Sequence, residues 1–363
     1  MADNIEQIKD EEKSYSDDDL YNISSWGADL SFREIASMYD EGDLLKPELQ
    51  RKYVWSKLEA SRFIDSILLG LPVPSVFFAK EPDETKLIVD GYQRIMTVYD
   101  YMKGEFTQDH KVFKLSNTEA INERWRGKTF EELTTEEQRK IRNTTIHAII
   151  FEQKYPNNDT GMYQIFERIN TGGRTLKPQE IRNCVYQGNF NELLFQLNSN
   201  DHWRNIIGPE DSRMMDIELI LRYYAIKDLY FSKEEREQIN LIKFLNEYMG
   251  NHQNLINECY MKFYNDFNEV IELLDKGIGS KTFRNLKKNS DKFANKVSPS
   301  VFDAVMVATR KALDNKKNII DLYNKYIILC KNNEFLDATS QHTTNINNIM
   351  KRIDLAYQIL YEG

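Results

Sequence analysis

An acid, a glycine and an arginine follow one another closely in Ile88-Val89-Asp90-Gly91-Tyr92-Gln93-Arg94. A carboxylate can hold Mg²⁺ or orient water, glycine lets a ligand approach the backbone, and a guanidinium offers a fork suited to phosphate. These residues need a frame. Leu87, Ile88 and Val89 form a short β-prone run, while Ile95, Val98, Tyr99 and Met102 recur at i, i+3, i+4 and i+7 before Gly104. The spacing predicts a strand, a tight turn and a helix whose free N–H groups point at the turn, where the helix dipole favours anions. Asp-Gly is also a common turn dipeptide, so the tetrad alone reads equally as a connector.

A second block lies upstream. Leu49-Gln50-Arg51-Lys52-Tyr53-Val54-Trp55 precedes Ser56-Lys57-Leu58-Glu59, a capping-box pattern that opens a helix with Ile64, Ile67, Leu68 and Leu71 on its apolar face. Gly70 closes that helix, and Val76-Phe77-Phe78 is a second strand. A third block, Asn170-Thr171-Gly172-Gly173-Arg174, joins a helix carrying Met162, Ile165, Phe166 and Ile169 to one expected from Pro178 to Gln187, with Gly188 as its stop. Two glycines and an arginine suit a phosphate loop, and they suit a helix–helix joint equally well.

Four ordered segments, LQRKYVW, RFIDSILLGLPVPSVFF, IVDGYQR and FERINTGGRTLKPQEIRN, resemble the N-terminal domain of GmrSD-type modification-dependent restriction enzymes. The resemblance implies a ParB/sulfiredoxin-like fold, and nucleotide binding or hydrolysis coupled to recognition and cutting of foreign, often modified, DNA in prokaryotic anti-phage defence. The family reads Asp-Gly-Gln-Gln-Arg where this chain has Tyr92 in place of the first glutamine; Asp90, Gly91, Gln93 and Arg94 match. On this reading the chain binds a nucleoside triphosphate with Mg²⁺. Arg94 and the amides after Gly91 hold the phosphates, joined by Gln50, Arg51, Asn170, Thr171, Gly172 and Arg174, while Asp90 holds the metal and works with Gln93 and Arg94 in catalysis. Nothing resembles the HNH-type nuclease half of longer GmrSD proteins, so a separate nuclease subunit or self-association is expected. The alternative is a non-catalytic module that senses DNA or a partner and recruits a nuclease.

The chain of 363 residues is 41% hydrophobic, enough for a large core and a length that predicts two domains. Short apolar runs alternate with helices up to about residue 200, and helical spacing dominates afterwards. The expected class is therefore α+β, with an acidic, disordered tail over 1–19, a ParB/sulfiredoxin-like domain over 20–200 and a helical domain over 201–363. Cys184, Cys259 and Cys330 are too scattered for a disulfide framework, and neither a basic leader nor a membrane-length apolar run is present, which predicts a cytoplasmic location.

Net charge is −9, of which the first nineteen residues, with eight acids against two lysines, account for −6. A nearly balanced remainder excludes DNA binding by a general positive field and leaves local patches. Lys281, Arg284, Lys287, Lys288, Lys292 and Lys296, interleaved with Phe283, Leu286 and Phe293, form one such run. It fits a groove that tracks a DNA backbone, or an ordinary exposed helix. Gly127-Lys128-Thr129 lacks the first glycine of a P-loop, Glu152-x-Lys154 is a short echo of nuclease motifs, and the five histidines lack metal-ligand spacing.

Overall fold

The structure, a computed structural model, describes residues 4–8, 11, 23–46, 55–153, 160–169, 176–233, 237–287 and 290–362. The chain forms two compact units, the first covering 18–175 and the second 176–363 together with residues up to 17.

The first unit runs β1 (Ile23–Ser31), α1 (Phe32–Glu41), β2 (Leu44–Leu45), α2 (Lys57–Leu69), β3 (Val76–Lys80), β4 (Lys86–Asp90) and α3 (Tyr92–Lys103). The small strands β5 (Glu105–Phe106) and β6 (Lys111–Val112) follow, then α4 (Thr135–Asn143), β7 (Thr145–Gln153) and α5 (Thr160–Ile169). Five strands form a mixed sheet in the order β1-β7-β3-β4-β2. β1 runs antiparallel to β7, from Ile23 opposite Gln153 to Ser31 opposite Thr145. β3 lies parallel to β7 and antiparallel to β4, and β2 adds a short parallel edge to β4.

Strand alternation decides which face is buried. On β7, Ile146, Ala148 and Ile150 are buried while Thr145 and His147 face solvent. Those three join Val76, Phe78 and Ile88 from the neighbouring strands and meet Phe32 and Ile35 of α1, Ile64 and Ile67 of α2, Ile95 and Val98 of α3 and Ile141 of α4 in one core. Each buried Val, Ile or Phe side chain among these contributes about 1.5–3 kcal/mol. The helices start where the sequence signals it. Glu59 N–H donates to Ser56 Oγ at 3.3 Å and Ser56 N–H to Glu59 Oε2 at 2.7 Å, and Ser31 with Glu34 and Thr134 with Glu137 repeat the device.

The second unit contains α6 (Pro178–Val185), α7 (Asn189–Asn198), α8 (Asp201–Ile207), α9 (Met215–Ser232), α10 (Leu241–His252) and α11 (Asn257–Gly277). It continues with α12 (Pro299–Asp314), α13 (Leu322–Lys331), α14 (Asn333–Ser340), α15 (Ile346–Tyr357) and a π-helical turn, Gln358–Glu362. The expected faces are buried: Ile217, Ile220, Leu221 and Tyr224 on α9, Ile349, Ile353 and Tyr357 on α15. α12, packed against α9 and α15, is buried continuously from Pro299 to Thr309. A helix covered on every side belongs in a core, and its one buried carboxylate, Asp303, is paired with Arg222 and Arg352. The mixed α+β class, a sheet followed by helices, is as expected.

Three details differ from the sequence reading. The unit boundary falls at 175/176 rather than near 200, because α6 is built into the helical unit: Arg182 donates to Glu218 at 2.8 Å and to Asn246 at 2.8 Å. α6 ends at Val185, and Gly188 instead caps the start of α7. The acidic head is not uniformly a solvated tail, for Ile5 is buried, bridges to Val297, and Glu11 is buried against Arg222. An apolar side chain and a paired carboxylate outweigh the local excess of charge there.

Candidate phosphate-binding site

β4 carries Asp90 to the end of the sheet, opposite Phe77 of β3, where the register shifts between Phe77 and Phe78. Gly91 then turns the chain with φ 100° and ψ 4°, and its carbonyl accepts the first helical bond, from Ile95 N–H at 3.0 Å. Two constraints demand glycine. The backbone is left-handed, and an added Cβ would lie 2.3 Å from Val76 Cγ1 and 3.2 Å from Arg94 Nη2. Among the described residues no side chain caps the start of α3. A helix start carries the positive end of the helix dipole.

Arg94, one turn into α3, folds back to the same turn. Its Nη2 donates to Asp90 Oδ2 at 2.6 Å and to the Ser75 carbonyl at 3.1 Å, and its buried Nε has no partner among the described residues. The side chain is 18% exposed against 40% for Asp90, so the pair is half sheltered and one carboxylate edge faces outward. Asp90 Oδ1 accepts no hydrogen bond from the described residues. A Mg²⁺ ion carried by nucleotide phosphates commonly takes one or two protein carboxylates, and this oxygen fits that requirement.

Gln93 points elsewhere. Its Oε1 accepts the Trp55 N–H at 3.2 Å, directly before the Ser56 cap of α2, and the Trp55 ring stands edge-on to Phe63 at 5.6 Å. This is a positioning contact, tying the start of α3 to the entry of α2. Tyr92 is buried, and burial, with Tyr39 and Asp100 nearby, raises its hydroxyl pKa. Lys46 holds its ammonium 5.4 Å from the Tyr92 ring centre. That contact escaped the sequence reading because it follows from the parallel pairing of β2 with β4, Leu44 with Lys86 and Leu45 with Leu87.

Gln50, Arg51, Asn170, Thr171, Gly172, Arg174 and Lys288 lie outside the described residues. The remaining basic residues divide in two. Arg284 is not a free cation: it donates through Nη1 to the carbonyls of Ile206 at 3.0 Å, Ser280 at 2.6 Å and Thr282 at 3.2 Å, and burial lowers its pKa. Lys281, Lys287, Lys292 and Lys296 are exposed. The described residues of the segment form no α-helix; Lys287 N–H donates to Lys292 O at 2.8 Å, and Leu286 bridges antiparallel to Phe293. Arg284 was a mistaken candidate because half-buried carbonyls without helical partners claim its donors.

Elsewhere, Glu152 pairs with Lys80 at 3.6 Å and His147 with Asp29 at 2.8 Å. Among the described residues no group of three His, Cys, Asp or Glu side chains could hold a metal, and no helix is long and apolar enough to cross a membrane.

A family profile described as the GmrSD restriction endonuclease N-terminal domain matches residues 32–187. No curated protein and no solved structure gave a match. The profile spans α1 to α6, with the β4–Gly91–α3 turn inside it. Residues 32–187 of this chain therefore belong to the GmrSD restriction endonuclease N-terminal domain family.

Proposed function

We propose that the first unit binds a nucleoside triphosphate at the turn between β4 and α3 and uses it in a restriction-type defence reaction on foreign DNA. The observation that carries this reading is the meeting of the α3 helix start, the left-handed turn at Gly91 and the Arg94 guanidinium. In the bound state the amides after Gly91 and the Arg94 guanidinium receive β- and γ-phosphate oxygens. Phosphoryl transfer asks chiefly for placement and charge neutralisation. Asp90 Oδ1 is the site for Mg²⁺, which would screen the phosphate charge. Gln50, Arg51, Asn170, Thr171, Gly172 and Arg174 remain assigned to the phosphates on the family resemblance.

A second reading draws on the 2.6 Å contact between Asp90 and Arg94. A carboxylate committed to a guanidinium orients it and need not activate water, which favours a binding module that senses nucleotide or DNA backbone and hands cutting to another nuclease. One experiment separates the two. Release of phosphate from ATP or GTP is measured with and without Mg²⁺ and DNA, in the wild type and in Asp90→Asn. Mg²⁺-dependent turnover that falls at least ~10²-fold in the variant supports hydrolysis. Nucleotide binding without turnover supports the module, and no nucleotide binding at all overturns the phosphate site.

A further inference from the structure

In the helical unit, an extended segment at the beginning of the chain lies along residue 297. Glu6 N–H donates to Val297 O at 2.9 Å, Val297 N–H donates to Asn4 O at 2.8 Å, and the Ile5 side chain is 1% exposed. Glu11 then delivers a carboxylate to Arg222: Nη1 donates to Oε2 at 2.6 Å and Nη2 to Oε1 at 2.9 Å. Arg222 donates from its other edge to both oxygens of Asp303, at 2.7 and 2.8 Å, and Arg352 Nη2 donates to Asp303 Oδ2 at 2.7 Å.

All four side chains are buried, with exposures of 7% for Glu11, 3% for Arg222 and 0% for Asp303 and Arg352. Two acids balance two bases. Without Glu11 the same pocket holds two guanidinium groups against one carboxylate, and an uncompensated charge in a buried place is costly. The segment also walls a small cavity of about 40 Å³ bounded by Glu11, Gln179, Arg182, Glu218 and Leu245. Room for a few waters remains beside the ion pairs.

We propose that Arg222, backed by Asp303 and Arg352, is the floor of a carboxylate-binding socket for an extended, acid-bearing segment, and that Asn4–Ile8 with Glu11 is the strap that fills it. Val297 supplies backbone pairing, the Ile5 pocket supplies an apolar anchor, and Arg222 reads the carboxylate six residues further on. The socket recognises a charge and a spacing, and it stands independently of any nucleotide at Arg94.

The test uses the full chain. Glu11→Ala removes the carboxylate and leaves space beside Arg222. Its melting temperature should rise saturably with added sodium acetate and much less with sodium chloride at equal ionic strength, while the wild type responds equally to both salts. Equal responses of the variant to acetate and chloride would overturn the socket. If Glu11→Ala does not fold, Glu11→Gln keeps the shape without the charge. The amides of Glu6 and Val297 should then exchange with solvent ~10²-fold faster, the loss expected when one partner of a buried ion pair is removed. Exchange at wild-type rates there refutes the strap, and equal acceleration in β7 of the other unit would mean general loosening, which refutes it as well.

Discussion

Val76 Cγ1 stands where a side chain on Gly91 would begin, 2.3 Å from the position of an added Cβ. β3 is thus packed so closely against the end of β4 that the turn leading into α3 has no room for any other residue. Gly91→Ala should cost about 1–3 kcal/mol in backbone strain, with the clash against Val76 in addition. Urea denaturation measures the loss, and a variant as stable as the wild type would show that β3 yields without cost.

Arg94 is expected to separate binding from folding. Arg94→Ala removes a charge-assisted contact of about 1.5–3 kcal/mol, so affinity for ATP should fall roughly tenfold to a hundredfold. Arg94→Lys keeps the charge, loses the fork and should fall between the two. Calorimetric titration decides this, and unchanged affinity in a folded Arg94→Ala protein rules out a phosphate role for the guanidinium.

Gln93 should behave differently. Because its Oε1 receives the Trp55 N–H, Gln93→Ala should leave nucleotide affinity within a few-fold and lower stability by about 0.5–1.5 kcal/mol. Tryptophan emission and thermal melting report on it. A large loss of affinity with no loss of stability would return Gln93 to the catalytic group.

The strand, turn and helix around Asp90 were legible because Leu87–Val89 is a short unbroken apolar run, Ile95–Met102 carries the helical period, and a turn dipeptide separates them. The α2 start was legible for the same local reason, a serine three residues before a glutamate. What Arg94, Gln93 and Lys46 touch was not. Those contacts depend on which strands pair, and the parallel edge of β2 on β4 leaves no mark in spacing. Arg284 and Glu11 misled for a related reason: a charge run and an acidic tail look solvated until remote carbonyls or a remote arginine claim individual members.

Acid should weaken the helical unit in a defined direction. Burial alone would raise the Glu11 carboxyl, but the charge and hydrogen bonds of Arg222, with Arg352 behind, outweigh it and hold the pKa below the ordinary value of 4.5. A carboxyl depressed in the folded state contributes stability above its unfolded pKa and loses it as pH falls through the folded one. The stability difference between wild type and Glu11→Gln should therefore be constant near neutrality and shrink below about pH 4.5. Denaturant midpoints across that range test the sign; a difference that grows with acid would contradict it.

The basic segment gives a paired prediction. Lys287→Glu with Lys292→Glu should lower the salt slope of any DNA binding by about two, at ~0.9 per phosphate contact, and leave stability unchanged. Arg284→Ala should do the reverse, since it frees the carbonyls of Ile206, Ser280, Thr282 and Asn295 and removes a half-buried charge. Gel shifts at several salt concentrations, read beside melting curves, distinguish the two; a slope unmoved by the double variant makes the lysines a solvated face.

α12, buried on every side from Pro299 to Thr309, has a consequence for how the helical unit comes apart. No neighbour can leave without uncovering it, and two of them, α9 and α15, lie far from it along the chain. Cooperativity is then imposed by geometry. The unit has no stable half to retreat to, so partial unfolding is confined to peripheral helices, and the amides of α12 open only when the whole assembly does.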